Sequence, residues 1–361
     1  MVNSARLEYE IVGVDAEIGS LVSMPDWAEW ASGDGTQLPS PAVIQRAVGL
    51  TSKSWDTERF KDLGVARDSA SRAMEMAGVG PSEIDAAIIV TCTPYQIMLD
   101  QDSFQLLRDL GIPDTVAPIQ VGAGCAGLAR AVTLLASMTA RCALILTYNL
   151  VSGMALTDGA VGLYRSNRAH PLGRHMWVSP ALFSDGAAAL VLRRAPEVTG
   201  FSLYSRDSHS FGDEPAFTDP IIHYPGGGVA YPPGGRDAAE LSCYGISLGA
   251  VKEYYTKGMM LNHEALTKQR PGYVEEVRRI YTHQASPALV DAFAKLAALP
   301  ADKAPTNARR LGNLVSASTA QMLHDDVQQG IVRPGDEVCL SVVGAGPERG
   351  AFILPVAASV G

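Results

Sequence analysis

Between residues 66 and 149 the chain alternates between two kinds of apolar pattern. Short runs of strand character (AAIIVTCT, VAPIQV, RCALILTYN) are separated by stretches of helical character: ARDSASRAMEMA, a segment near 101–110, and a long apolar run after Gly127. Strands that are apolar at every position are buried on both faces. Strands alternating with helices build an α/β fold around such a buried sheet. Residues 5–14 read as a further strand. Residues 25–60, with Pro39, Pro41 and three glycines, read as irregular.

The chain of 361 residues has room for two domains or one large duplicated one. Hydrophobic residues make up 47% and charged residues 19%, which supports a large core and excludes general disorder. The net charge of −9 argues against nucleic acid as the main partner, since phosphate binding needs a basic face. Arg165, Arg168 and Arg174 lie close together, as do Arg193 with Arg194, Arg278 with Arg279 and Arg309 with Arg310; solvated surface is the expectation for most. No apolar run reaches the length of a membrane span, and the N-terminus has no apolar signal region, so a cytoplasmic protein with no membrane partner is expected. The cysteines Cys92, Cys125, Cys142, Cys243 and Cys339 form no CxxC pair. Free thiols are expected, with no zinc site, and nothing implies a metal or redox cofactor.

Two segments suggest organisation at larger scale. Residues 78–90 (GVGPSEIDAAIIV) and 330–342 (GIVRPGDEVCLSV) share a glycine stop, a Pro-acid turn and a buried strand, which suggests two related halves. The boundary is expected near 193/194, giving halves of 1–193 and 194–361. Residues 205–240 (including DSHSFGDEP and HYPGGGVAYPPGG) read as a loop-rich insertion of the kind that covers sites.

The stretch GAGCAG, Gly122 to Gly127, admits two readings. It matches the dinucleotide-binding G-x-G-x-x-G and lies between a strand and a helix, as that motif requires. The acid that should end the next strand is missing, however: ALILTYN ends in Asn149, and Asp158 comes too late. The same geometry suits a thiol. Cys125 falls at the start of a helix, where unpaired N–H groups and the helix dipole lower a cysteine pKa. Its small neighbours leave room for a thioester, and nearby N–H groups can form an oxyanion hole. A rival motif is GISLG at 245–249, which matches the G-x-S-x-G elbow of serine hydrolases around Ser247. The preceding DAAELSCY lacks the strong buried strand that the elbow requires, and a capping serine is the simpler reading.

A thiol enzyme needs a base or donor nearby. Of the seven histidines, His170, His175, His209 and His223 lie in loop-like sequence, and His263 and His324 on helix surfaces. His283, in RRIYTHQASPALVDAF, falls between a short strand and a helix, at the sheet edge where α/β active sites gather. Asn313, in LGNLVSASTAQML, follows Gly312 and precedes another small-residue helix start, so its amide can donate to a thioester oxygen.

Three of these stretches, GAGCAGLARAV, THQAS and LGNLVSAST, resemble the β-ketoacyl-acyl carrier protein synthase III branch of the thiolase superfamily. FSDGAAALVL at 183–192 is similar to that family's segment between the halves, and VRPGDEVCLSVVGAG at 332–346 to its last strand and terminal loop. The resemblance implies a duplicated five-layer αβαβα fold and a homodimer. It implies Cys125 as the acyl-accepting nucleophile, with His283 and Asn313 binding the thioester carbonyl and stabilising an enolate after CO2 leaves a malonyl-type unit. Coenzyme A or acyl carrier protein thioesters would be the substrates. The chain departs from the pattern in its terminal loop GAGPERG, where Pro347, Glu348 and Arg349 change the pocket wall. PALVDAF lacks the expected basic residue, and LYRSNRAHPLGRHMWVSP and 205–240 are unusual. The expectation is therefore an acyltransferase of specialised, polyketide- or fatty-acid-like metabolism that performs decarboxylative Claisen condensation. Simple transfer of the acyl group to a hydroxyl, amine or carrier thiol is the alternative. Met98, Met154, Leu156, Phe217 and Tyr224 are candidate acyl-tunnel residues.

Overall fold

A computed structural model describes residues 3–32, 38–96, 99–153, 177–207 and 248–358. It also describes two short strand pairs, Ser210–Phe211 with Glu214–Pro215 and Ile222–His223 with Gly245–Ile246. In chain order the strands are β1 (Asn3–Leu7), β2 (Tyr9–Ile18), β3 (Leu21–Ser23), β4 (Ser52–Ser54), β5 (Ala86–Thr91), β6 (Pro118–Gly122), β7 (Cys142–Asn149), β8 (Gly186–Arg194) and β9 (Gly200–Arg206). The short pairs are β10 to β13, followed by β14 (Arg279–Thr282), β15 (Glu337–Gly344) and β16 (Glu348–Pro355). The helices that matter below are α1 (Met24–Ser32), α2 (Pro41–Val48), α3 (Gly64–Ala77), α4 (Gln101–Asp109), α5 (Gly127–Leu135), α6 (Val178–Leu182), α7 (Leu248–Gln269), α8 (Pro287–Leu296) and α9 (Ser318–Gln328).

The apolar runs of residues 86–149 all lie in the first of two five-stranded sheets, with β5 and β7 inside it and β6 at its edge. The first sheet has the order β2-β8-β7-β5-β6, the second β1-β9-β16-β15-β14. All eight residues of β7 are buried, as a strand covered on both faces requires. Helix α3 packs on the outer face of the first sheet, beside α4, and α7 packs on the outer face of the second, beside α8. Helices α5 and α9 lie between the sheets and touch strands of both. The layers are therefore helix, sheet, helix, sheet, helix.

A helix pressed between two sheets needs small residues, and α5 has them. A Cβ added at Gly127 would lie 2.3 Å from Val90 Cγ1 on β5. From the other sheet, a Cβ at Gly344 would lie 2.7 Å from the Ala126 backbone nitrogen, and one at Gly350 2.7 Å from Ala129 Cβ. Contacts that short require something to shift, and backbone cannot shift cheaply.

Three expectations are corrected. Residues 5–14 are not one strand: the run breaks at Glu8, β1 pairs with β9 in the second sheet, and β2 pairs with β8 in the first. Residues 25–60 are not irregular, since they hold α1, α2 and β4. Pro41 is the first residue of α2, where a missing N–H costs nothing, so the proline opens a helix that it seemed to exclude. The third correction concerns the repeat. The sheets do share a pattern: β5–β7 and β14–β15 are parallel, while β7–β8, β8–β2, β15–β16 and β16–β9 are antiparallel. This pattern pairs β5 with β14 and β7 with β15. The sequence match of 78–90 with 330–342 pairs β5 with β15 instead, so it joins strands that are not equivalent. Most of 205–240 lies outside the described residues.

Candidate active site

Cys125 occupies the tight connection from β6 to α5. Ala123 N–H donates to Thr91 O (3.1 Å), and Gly127 N–H to Gly124 O (2.9 Å), which folds the connection back onto the end of β5. Of the glycines of GAGCAG, Gly127 has a packing role, since it lets the start of α5 lie against β5. The thiol is 9% exposed. Burial pushes it up from the ordinary cysteine value, Cys92 adds to the rise, and a hydrogen bond with the Asn313 side chain opposes it. The helix start was expected to lower this pKa; loss of water raises it instead, and the resting group is the thiol.

His283 follows β14 and is 2% exposed. Its backbone is held at both ends: its N–H donates to Ser341 O (2.9 Å), and Tyr255 Oη donates to its carbonyl (2.8 Å). Burial alone drives its imidazole down to about 3, so the ring is neutral. Nδ1 is buried with no hydrogen-bond partner, which leaves Nε2 as the end that serves the cavity. A bare lone pair is cheaper to bury than a bare N–H, so the proton belongs on Nε2.

Asn313 lies in the short segment that leads into α9. Its N–H donates to Leu182 O (3.0 Å), and its carbonyl accepts from Ser184 N–H (2.9 Å), a parallel bridge that ties it to Phe183. Its Oδ1 accepts from Val315 N–H (2.8 Å), which turns the amide nitrogen towards the Cys125 thiol as the donor. Gly312 makes this possible: its φ is +75°, and a Cβ there would lie 2.2 Å from Ser184 Oγ. Val315 has φ +53°, a strained conformation for a β-branched residue, and such strain concentrates at functional sites.

Cys125, His283 and Asn313 line one cavity of about 490 Å³, with Tyr255, Leu289 and Gly344 among its walls. Cys125 also lines a second cavity of about 260 Å³, shared with Cys92, Arg130, Val315 and Glu348. Phe183 and Ala345 face both. The thiol therefore stands where two chambers meet. Of the three unusual residues in the terminal loop, only Glu348 reaches either wall. Side chains alternate along a strand, so Arg349 turns to the other face of β16, where it pairs with Asp207 (2.8 Å) and Asn262 (3.1 Å).

Sequence reasoning missed the support beneath Phe183. Lys53, on β4, is fully buried, and its ammonium donates to the carbonyls of Pro180 and Phe183. It sits 4.9 Å from the Trp27 ring centroid and 4.2 Å from that of Trp55. Burial drives Lys53 down, with Asp185 opposing. Lys53 thus fixes the strip that holds the Asn313 backbone. No motif marks it, because its partners are backbone oxygens more than a hundred positions away in sequence.

The remaining expectations fall in several places. Ser247, Cys243, His170, His175, His209 and the tunnel candidates Met98, Met154, Leu156, Phe217 and Tyr224 lie outside the described residues, as do Arg165, Arg168 and Arg174. His324 lies on α9 between the sheets and not on an outer surface. Arg279 is not free surface either, since it pairs with Asp326 at 2.9 Å. Among the described residues, no group of three or more His, Cys, Asp or Glu could hold a metal, and no helix is long and apolar enough to cross a membrane.

Residues 269–356 match the family described as 3-oxoacyl-[acyl-carrier-protein (ACP)] synthase III, C terminal. This span holds both His283 and Asn313. The chain is 26% identical over 362 residues to the beta-ketoacyl-[acyl-carrier-protein] synthase III of Novosphingobium aromaticivorans, covering 90% of this chain and 98% of the relative. Its fold superposes on 3-oxoacyl-(acyl carrier protein) synthase III, FabH, from Pseudomonas aeruginosa PAO1 with a TM-score of 0.73 at 22% identity, covering 97% and 98% of the two chains. It also superposes on the priming β-ketosynthase of the R1128 polyketide biosynthetic pathway, with a TM-score of 0.76 at 21% identity, covering 98% and 97%. The duplicated, five-layer thiolase-type fold expected from the sequence is the fold found.

Proposed function

We propose that this β-ketoacyl-acyl carrier protein synthase III-like chain of the thiolase superfamily loads an acyl group on Cys125 and condenses it with a malonyl-type thioester. The observation that carries the reading is the meeting of Cys125, His283 and Asn313 on one cavity, with His283 held neutral. The thiol of Cys125 attacks the donor thioester carbonyl and gives up its proton to the departing thiol, while His283 keeps its own proton on Nε2 and stays a donor. The donor's coenzyme A or carrier thiol leaves with that proton, and an acyl-Cys125 thioester remains. The extender then binds with its thioester oxygen between His283 Nε2–H and the Asn313 amide. Its C–CO2⁻ bond breaks, CO2 departs, and the electron pair remains as an enolate that the two donors stabilise. The enolate carbon attacks the acyl carbonyl. The C–S bond to Cys125 breaks, the β-ketothioester leaves, and the thiolate regains a proton.

Neutral donors suit this step. An imidazolium would pair with the extender carboxylate and hold it in the ground state. Simple acyl transfer needs no enolate stabiliser, so the paired His283 and Asn313 support condensation over transfer. The altered terminal loop supports a role in specialised rather than housekeeping metabolism. The reading carries with it a cytoplasmic homodimer, which light scattering on the purified protein checks. Condensation is tested by following CO2 release from labelled malonyl-carrier thioester with enzyme already acylated on Cys125. CO2 release with β-ketothioester formation is expected; a stable acyl-Cys125 that never triggers CO2 release from any malonyl donor would exclude it.

A further inference from the structure

The second cavity behind Cys125 is not the plain apolar chamber that an alkyl chain prefers. Its wall carries both members of an ion pair, the half-buried Arg130 from α5 and the buried Glu348 from the start of β16. The Glu348 side chain is 3% exposed. Arg130 Nε (2.8 Å), Arg130 Nη2 (2.6 Å) and Tyr204 Oη (2.5 Å) all donate to Glu348 Oε2. None of these bonds uses Oε1. Arg130 Nη1 has only a long contact to Gly122 O, at 3.5 Å. Burial and the carboxylate push Tyr204 up to about 12, so it stays a donor. The pair therefore presents one open acceptor and one weakly used donor to a cavity otherwise lined by Thr93, Val151, Phe183, Val315 and Ala345.

We propose that this chamber selects short acyl groups whose far end carries a neutral group able both to donate and to accept a hydrogen bond, a terminal hydroxyl being the simplest. The inference rests on the acyl-loading reading above and names its substrate class. The apolar part of the wall takes the methylenes. The terminal hydroxyl donates to Glu348 Oε1 and accepts from Arg130. An alkyl end would strip water from those open positions and return no hydrogen bond. A carboxylate end would meet Glu348 and an ammonium end would meet Arg130, each adding a charge to a site that is already neutral. Glu348 and Arg130 are specificity residues here, remote from the bond that forms.

The test measures the rate of acyl-Cys125 formation by quenched intact-protein mass spectrometry. It uses short ω-hydroxyacyl-CoAs, each paired with the straight-chain acyl-CoA in which a methyl replaces the hydroxyl. For wild type, a preference of about tenfold or more in kcat/KM for at least one hydroxyacyl member over its alkyl partner is expected. In the double substitution Arg130→Met with Glu348→Leu, which leaves no unpaired charge, the preference should vanish or reverse. If the double variant does not fold, the wild-type pairs decide alone. Equal or faster loading of every alkyl partner overturns the inference and leaves acyl loading standing. Failure of every acyl thioester to label Cys125 overturns both.

Discussion

The two sheets share a pattern of strand pairing and place different side chains at the shared cavity. In the first, β5 ends at Thr91 and the next residue is Cys92; in the second, the equivalent β14 ends at Thr282 and the next residue is His283. The connection into the central helix α5 carries Cys125, and the connection into the central helix α9 carries Asn313. On the proposed reading, one half contributes the nucleophile and the other the donors. Placing the two helices between the sheets brings both connections to one cavity. Duplication explains how a thiol and its partners, far apart in sequence, come to face one another without a local motif joining them.

The comparison can be broken by substitutions on each side. Asn313→Ala should cut condensation by about 10²- to 10³-fold, the usual cost of losing one oxyanion donor. It should slow acylation of Cys125 far less, since that half of the chemistry belongs to the first sheet. CO2 release and intact mass, measured on the same variant, separate the two steps. Equal losses in both would show that the halves do not divide the work.

The next effect in size concerns packing at the thiol. Gly127→Ala places a Cβ against β5 and should cost about 1–3 kcal/mol. Gly124→Ala meets nothing closer than Val315 Cγ1 at 3.9 Å and should cost well under about 1 kcal/mol. Urea midpoints compare them. Similar costs at both sites would contradict the packing role given to the third glycine of GAGCAG.

A smaller effect separates the thiol from the imidazole by pH. Burial lowers His283 from 6.5 to about 3. In the unfolded chain it gains a proton below about pH 6.5, which the folded chain refuses. Its effect on stability is therefore absent above that pH and grows as an opposing term as pH falls towards 3. At pH 5 this term amounts to about 2 kcal/mol. Denaturant midpoints of wild type and His283→Gln should converge as pH falls from 7 to 5, relative to their separation at pH 7. In the same range CO2 release should show no inflection from His283. An inflection near pH 6.5 that disappears in His283→Gln would mean the ring is not held neutral.

The candidate residues were easier to pick out of the sequence than the architecture around them. Strands β5 and β7 were legible because every position in them is buried, so no solvent-facing residue interrupts the run. Cys125, His283 and Asn313 stood out as candidates because each stands between a turn and a helix start, and the fold brings them to one cavity. The switch of sheets at Glu8 was not legible, since β1 and β2 both read as extended chain and nothing local says which neighbour each will find. Helices α1 and α2 were hidden by prolines that open them. The repeat was sensed but misaligned, because a glycine stop, a Pro-acid turn and a buried strand recur at several places in any α/β fold. Lys53 was illegible for a different reason: a lysine in sequence reads as surface, and only its two carbonyl partners and the flanking tryptophans justify its burial. The thiol pKa was misjudged because the sequence shows the helix start but not the loss of water.

The central claim is that the thiol at the junction of the two chambers accepts an acyl group. It is tested most directly by intact-protein mass spectrometry after incubation with a panel of acyl-CoA and acyl-carrier thioesters, comparing wild type with Cys125→Ala. The account predicts a single acyl adduct on wild type and none on the variant. An adduct that persists in Cys125→Ala would contradict it, as would no adduct on wild type from any donor.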